Sequence, residues 1–86
     1  MKQVVVTVNA EVGLHARPAS LFVKKAGEFS SAITVAKGEK EVDAKRLLAV
    51  MSLGVKQGES ITITAEGDDE QEAIDALQQL VESNFE

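Results

Sequence analysis

Gly13-Leu14-His15-Ala16-Arg17-Pro18-Ala19 is the stretch of this chain whose residue types are able to do chemistry. It holds the only histidine of the protein, two residues before an arginine and three before the only proline. Proline is accommodated in the first turn of a helix and not further in, because it has no N–H to donate and its ring collides with the preceding turn. A helix carrying Phe22 and Val23 therefore begins at about Ala16 to Pro18, which puts His15 at or near its N-cap. A helix start offers unpaired N–H groups and the positive end of the peptide dipole, a setting that welcomes a phosphate or another anion. Arg17 adds a forked cation close by. An imidazole there is placed to take a phosphoryl group on nitrogen, with the phosphoryl oxygens against backbone amides and the guanidinium. Ser, Thr, Asp or Asn would cap this turn better, and forgoing a good cap is a mark of functional sites. The same residue is also readable as an ordinary surface histidine, and the local sequence leaves both readings open.

Magnitudes indicate where such a site would act. A helix start contributes about 0.3 to 1 kcal/mol, too little for activation of the ring to be its main role. The larger benefit falls on the incoming phosphoryl group, where charge neutralisation and in-line positioning dominate the barrier. A carrier must also release its cargo, so a few modest contacts and partial exposure suit the task better than tight enclosure.

The elements that must position these residues are legible from periodicity. Val4 to Val8 reads as a β-branched strand, and Ala32 to Ala36 and Ile61 to Glu66 alternate with period two. Ile33 and Val35, or Ile61, Ile63 and Ala65, share one side, while Thr62, Thr64 and Glu66 fall on the other. Lys37-Gly38-Glu39-Lys40 supplies a turn that folds the second strand back against Glu41 and Val42. Ala19, Phe22, Val23 and Ala26 have helical spacing, ended by Gly27. Ile74, Leu77, Leu80 and Val81 have it too, opened by Asp69 and Glu72 in the pattern of a capping box.

Ala44 to Leu53 is apolar around too much of its circumference: Leu47, Leu48, Val50, Met51 and Leu53 spread over about 220°, where a surface helix buries about 100°. It is either a short irregular helix sunk between strands or a docking patch. The resulting order, β-α-β-β-α-β-α, predicts an α/β (α+β) open-faced sandwich in which helices cover the apolar face of a four-stranded antiparallel sheet. A single domain over residues 1–86 is expected, since 86 residues are too few for two cores.

Composition narrows the function classes. With no cysteine there is no disulfide, thiolate nucleophile or Cys-ligated metal, and one histidine argues against a His-rich metal site, so neither metal nor cofactor is expected. A net charge of −5 with neither Trp nor Tyr speaks against nucleic acid. No apolar run approaches the roughly 20 residues of a bilayer span and no leader pattern is present, so a cytoplasmic protein without membrane insertion is expected. The charge is uneven: residues 1–50 carry eight basic and five acidic side chains, residues 51–86 one basic and nine acidic. An acidic solvated helix near the C-terminus explains this, and so does a positive working face in the first half.

The 13–19 stretch resembles the active-site signature of the HPr family, the histidine-containing phosphocarriers of the bacterial phosphoenolpyruvate-dependent sugar phosphotransferase system. Leu47-Leu48-Ala49-Val50-Met51-Ser52-Leu53-Gly54 resembles the family's second signature, and Ile61 to Val81 its last strand and helix, so the likeness spans the chain. It implies a sheet order of 1-4-2-3 with three helices on one face. It also implies a carrier rather than an enzyme, in which Nδ1 of His15 takes a phosphoryl group from phosphorylated enzyme I and hands it to IIA domains of sugar permeases. Arg17, with the amides of Ala16 and Arg17, would bind the phosphoryl group. Leu47, Leu48 and Met51, flanked by Arg17, Ser20, Lys24 and Arg46, would form the partner-docking surface, and a carrier visiting several partners is expected to be a monomer. Partner surfaces in this system are typically acidic around their own histidine, which gives the positive first half a purpose.

One departure stands out. Many HPr proteins carry a regulatory serine, the target of an ATP-dependent kinase, where this chain has Arg46, so regulation at that position is in doubt; Ser52 lies nearby but does not occupy it. Two other readings share the fold. A regulatory HPr-like module, which binds a transcription regulator without relaying phosphate, characteristically lacks the histidine and keeps the serine, the reverse of His15 and Arg46. A carrier of a nitrogen-related or dihydroxyacetone branch would have the same chemistry and other partners.

Overall fold

The computed structural model describes residues 1–85. In chain order the elements are β1 (Lys2–Thr7), α1 (Ala16–Ala26), β2 (Ala32–Lys37), β3 (Lys40–Asp43), α2 (Leu47–Met51), β4 (Ser60–Glu66) and α3 (Glu70–Glu82). The strands form one antiparallel sheet of order β1-β4-β2-β3. Period-two alternation sets its faces, as expected. Val4, Ile63, Val35 and Val42 pair across the sheet as one inward row, and the neighbouring row Gln3, Thr64, Thr34 and Asp43 faces out. The outward face is stitched by side chains: Gln3 Nε2 donates to Thr64 Oγ1 at 3.0 Å, and Thr34 Oγ1 donates to Glu41 Oε2 at 2.8 Å.

All three helices serve the inward face. Helix α3 lies on β1 and β4, and α1 packs against both α2 and α3. Phe22, Leu14, Ile61, Ile63, Leu77, Val35 and Val50 are fully buried between the layers. Burying each such side chain stabilises the fold by about 1.5–3 kcal/mol. The β2–β3 connection is the expected hairpin: Lys37 pairs with Lys40, and Gly38 sits at φ +61°, the left-handed conformation a two-residue loop demands of its first member.

Several local expectations are corrected. The first strand spans Lys2–Thr7 rather than Val4 to Val8; Val8 leaves the ladder and instead donates its N–H to the Glu59 carbonyl at 2.9 Å. Gly27 ends α1 at φ −67°, right-handed, so its glycine freedom is unused there. The middle helix is only Leu47–Met51, five residues within the longer apolar segment. Asp69 and Glu72 form no capping box: the N-cap of α3 makes no side-chain cap bond. The Asp69 carboxylate turns away to the α1–β2 loop, accepting the N–H groups of Ser30 and Ser31, both at 2.9 Å, and both hydroxyls. That clamp, with the buried Ser31 hydroxyl its strongest contributor, pulls the Asp69 carboxyl down to about 2. Tertiary proximity, which periodicity does not report, chose the partner.

Candidate functional site

His15 is the N-cap of α1, in extended conformation at φ −98° and ψ −164°, exposed, and makes no side-chain cap bond. Pro18 is the third helical residue and is buried, so the sequence rule that fixed the helix start holds. Ala19 N–H closes the first helical bond onto the His15 carbonyl at 2.8 Å. That leaves the amides of Ala16 and Arg17 as the donors of the first turn, Pro18 having none, and among the described residues neither meets a protein acceptor. No acidic residue stands in that turn. The result is an exposed ring beside these two N–H groups, the positive end of an eleven-residue helix and an exposed guanidinium.

The loop that delivers His15 is rigidly held. Leu14 is buried and donates its N–H to the Val55 carbonyl at 3.0 Å. Gly13 adopts φ +66° against the same carbonyl, and a Cβ there would lie 2.2 Å from its oxygen, so no other residue fits without moving the backbone. The 52–56 turn is therefore the seat of the histidine loop.

Helix α1 presents its remaining predicted residues as one stripe. Arg17, Ser20 and Lys24, at i, i+3 and i+7, are all exposed, whereas Pro18, Ala19, Phe22 and Ala26 face the core. Helix α2 packs beside α1 and completes the surface. Val50 is fully buried, Met51 is half-buried, Leu47 is 39% exposed and Leu48 is 80% exposed. The overfull apolar arc is thus divided between core and solvent, and Arg46, exposed at the N-cap, edges a shallow cavity of about 380 Å³ with Leu47, Leu48 and Ala49.

Four contributors were not singled out in the sequence. Asn84 and Phe85 follow α3 in left-handed conformation, at φ 59° and 64°, and line a cavity of about 150 Å³ together with Arg17, Pro18 and Leu21. An asparagine just past a helix end, tolerant of that conformation, was the available signal. Lys37 and Lys40, which read as turn-flanking charges, reach the segment after α2: Lys40 Nζ donates to the Ser52 carbonyl at 2.9 Å and Lys37 Nζ to the Gly54 carbonyl at 3.0 Å. A larger cavity of about 510 Å³ runs along β2 and β3, and none of the predicted site residues lines it. Among the described residues no cluster of three or more His, Cys, Asp or Glu is disposed to hold a metal, and no helix is long and apolar enough to cross a membrane.

Comparison with known proteins agrees with this geometry. Residues 2–83 match the family model for the PTS HPr component phosphorylation site. The chain is 47% identical over 76 residues to phosphocarrier protein HPr of Haemophilus influenzae, covering 88% of this chain and 89% of that one. It is also 47% identical over 77 residues to the HPr-like protein Crh of Halalkalibacterium halodurans, covering 90% and 92%. The crystal structure of HPr-C-His from Thermoanaerobacter tengcongensis superposes with a TM-score of 0.96 at 54% identity, covering 99% of this chain and 96% of that one. A dimer of HPr from the same organism gives 0.80 at 53% identity, covering 100% and 99%.

Proposed function

Because the chain belongs to the HPr family of phosphotransferase-system phosphocarriers, we propose that it relays a phosphoryl group on His15, taking it from phosphorylated enzyme I and delivering it to IIA domains of sugar permeases. The single observation that carries this reading is the uncapped helix start: an exposed imidazole beside two N–H groups with no acceptor among the described residues and an exposed arginine. On loading, the P–N bond on enzyme I breaks as another forms on a ring nitrogen of His15, Nδ1 by family likeness, and on delivery that bond breaks as a new one forms on the histidine of the IIA domain. No water enters, and the protons on the two imidazoles are conserved overall. The amides of Ala16 and Arg17 and the Arg17 guanidinium neutralise the charge on the phosphoryl oxygens. The site is shallow and wet, which suits a group that must leave as readily as it arrives.

Docking falls to Leu47, Leu48 and Met51, with Arg17, Ser20, Lys24 and Arg46 around them. An apolar centre rimmed by cations fits a partner whose own histidine lies in an acidic surround. The protein acts in the cytoplasm as a monomer, one domain and a carrier rather than an enzyme. The likeness to Crh raises the regulatory reading, and His15 together with Arg46 weighs against it. The test is incubation with enzyme I and phosphoenolpyruvate, followed by intact mass. One acid-labile phosphoryl group, transferable to a IIA domain and absent from His15→Ala, is the expected result. Full labelling of His15→Ala refutes the assignment.

A further inference from the structure

The β2–β3 turn breaks a local rule. Lys37 and Lys40 stand directly opposite each other on the last rung of the hairpin, and like charges so placed repel. Neither ammonium group is left to solvent alone. Lys40 Nζ donates to the Ser52 carbonyl and Lys37 Nζ to the Gly54 carbonyl, two acceptors in the turn that follows α2. Lys37 is fixed from its other side by Glu59 at 2.9 Å, and Glu59 in turn accepts the Lys56 N–H at 2.7 Å. The two lysines thus grip one turn from the hairpin tip, with the favourable sign for the C-terminal end of a helix.

That turn has two clients. Its N-terminal side continues from α2, which at five residues is too short to hold its own shape. Its C-terminal side is Val55, whose carbonyl accepts the Leu14 N–H and abuts Gly13, immediately before His15. We infer that Lys37 and Lys40 are positioning residues, a clasp that sets the docking helix and the histidine loop in one fixed relation, so that a partner seated on Leu47 and Leu48 finds the ring nitrogen in line. The inference rests on the carrier reading given above. Its consequence is that two lysines touching neither phosphoryl group nor partner govern transfer by the placement of other residues.

The test is the double variant Lys37→Met/Lys40→Met, which keeps most of each aliphatic stem and removes the donors. Two readouts are taken. The first needs no phosphorylation: hydrogen exchange at the Leu14 amide, expected to quicken about tenfold as the Val55 carbonyl loosens. The second is transfer from enzyme I, with kcat falling about three- to tenfold and KM changing less than about twofold. Lys2→Met, which removes a cation at the far end of β1, controls for charge and is expected to alter neither readout. Lys37→Arg/Lys40→Arg, able to donate to the same carbonyls, restores most of both. Unchanged exchange overturns the clasp, and quickened exchange with unchanged kcat overturns its role in positioning. If the unaltered protein takes no phosphoryl group, the carrier reading fails while the exchange result still decides the clasp.

Discussion

Two helix starts in this chain are built in opposite ways. At α3 two anions find structural partners: Asp69 binds the Ser30–Ser31 loop, and Glu70 accepts the Gly67 N–H at 3.1 Å and pairs with the N-terminal ammonium at 2.8 Å. Acidic Glu70 and Glu72 occupy its first turn, matching the dipole. At α1 the first turn holds no acid, the cap residue makes no side-chain bond, and two N–H groups meet no acceptor among the described residues. One end ties the chain together. The other sets two N–H groups beside an exposed ring, the arrangement on which the proposed carrier role rests.

Filling the open start is the sharpest way to break the contrast. His15→Asp supplies a good cap and an anion, so it is expected to raise stability by about 1 kcal/mol in denaturant titration while abolishing phosphoryl acceptance altogether. A variant that lost both stability and labelling would mean that the imidazole itself holds the loop. Removing the nearby cation is next in size. Arg17→Ala is expected to lower the transfer rate about 10²-fold, comparable with loss of one preorganised charge stabiliser, with stability changed by less than about 0.5 kcal/mol. Leu48→Ser tests the surface beside the open start. Leu48 is 80% exposed, so stability should hold within about 0.5 kcal/mol while KM for enzyme I rises about tenfold.

The closed start is probed by acid. The Asp69 carboxyl, held at about 2 by the Ser30–Ser31 clamp against an ordinary value of 3.8, contributes stability that is complete above about pH 4 and is lost as pH falls toward 2. Glu70 and Glu59 are lowered too, Glu70 chiefly by the N-terminal ammonium and Glu59 chiefly by its bond from Lys37, and they add to the same acid-side loss. Asp69→Asn is expected to flatten the fall between pH 4 and 2, by up to one proton per molecule, and to leave transfer at neutral pH unchanged. An unaltered acid slope would show that the clamp does not hold in solution.

What the sequence made legible follows from this division. Period-two alternation announced which strand residues face inward, and Gly38 between charged neighbours marked the hairpin, because both are local consequences of backbone geometry. Pro18 located the start of α1 to within three residues, since its missing N–H is tolerated only in the first turn. The excess apolar arc at 47–53 correctly signalled that core and surface must share it. The sheet order came from family likeness and not from periodicity. Asp69 misled, because its spacing to Glu72 imitates a capping box, while its real donors lie 38 and 39 residues away. Lys37 and Lys40 were opaque for the same reason: a long side chain's acceptor is fixed by which loop the fold brings near. Local signals thus marked where α1 begins and which strand residues face inward, and long-range contacts, silent in one sequence, supply the frame that holds them.

The central claim is that the open start of α1 receives the phosphoryl group, and amide NMR of the protein before and after phosphorylation by enzyme I and phosphoenolpyruvate tests it most directly. The Ala16 and Arg17 N–H resonances are expected to move strongly downfield as they donate to phosphoryl oxygens, while Ser30, Ser31 and Gly67 at the closed start stay in place. A phosphorylated protein whose Ala16 and Arg17 amides do not move would contradict it.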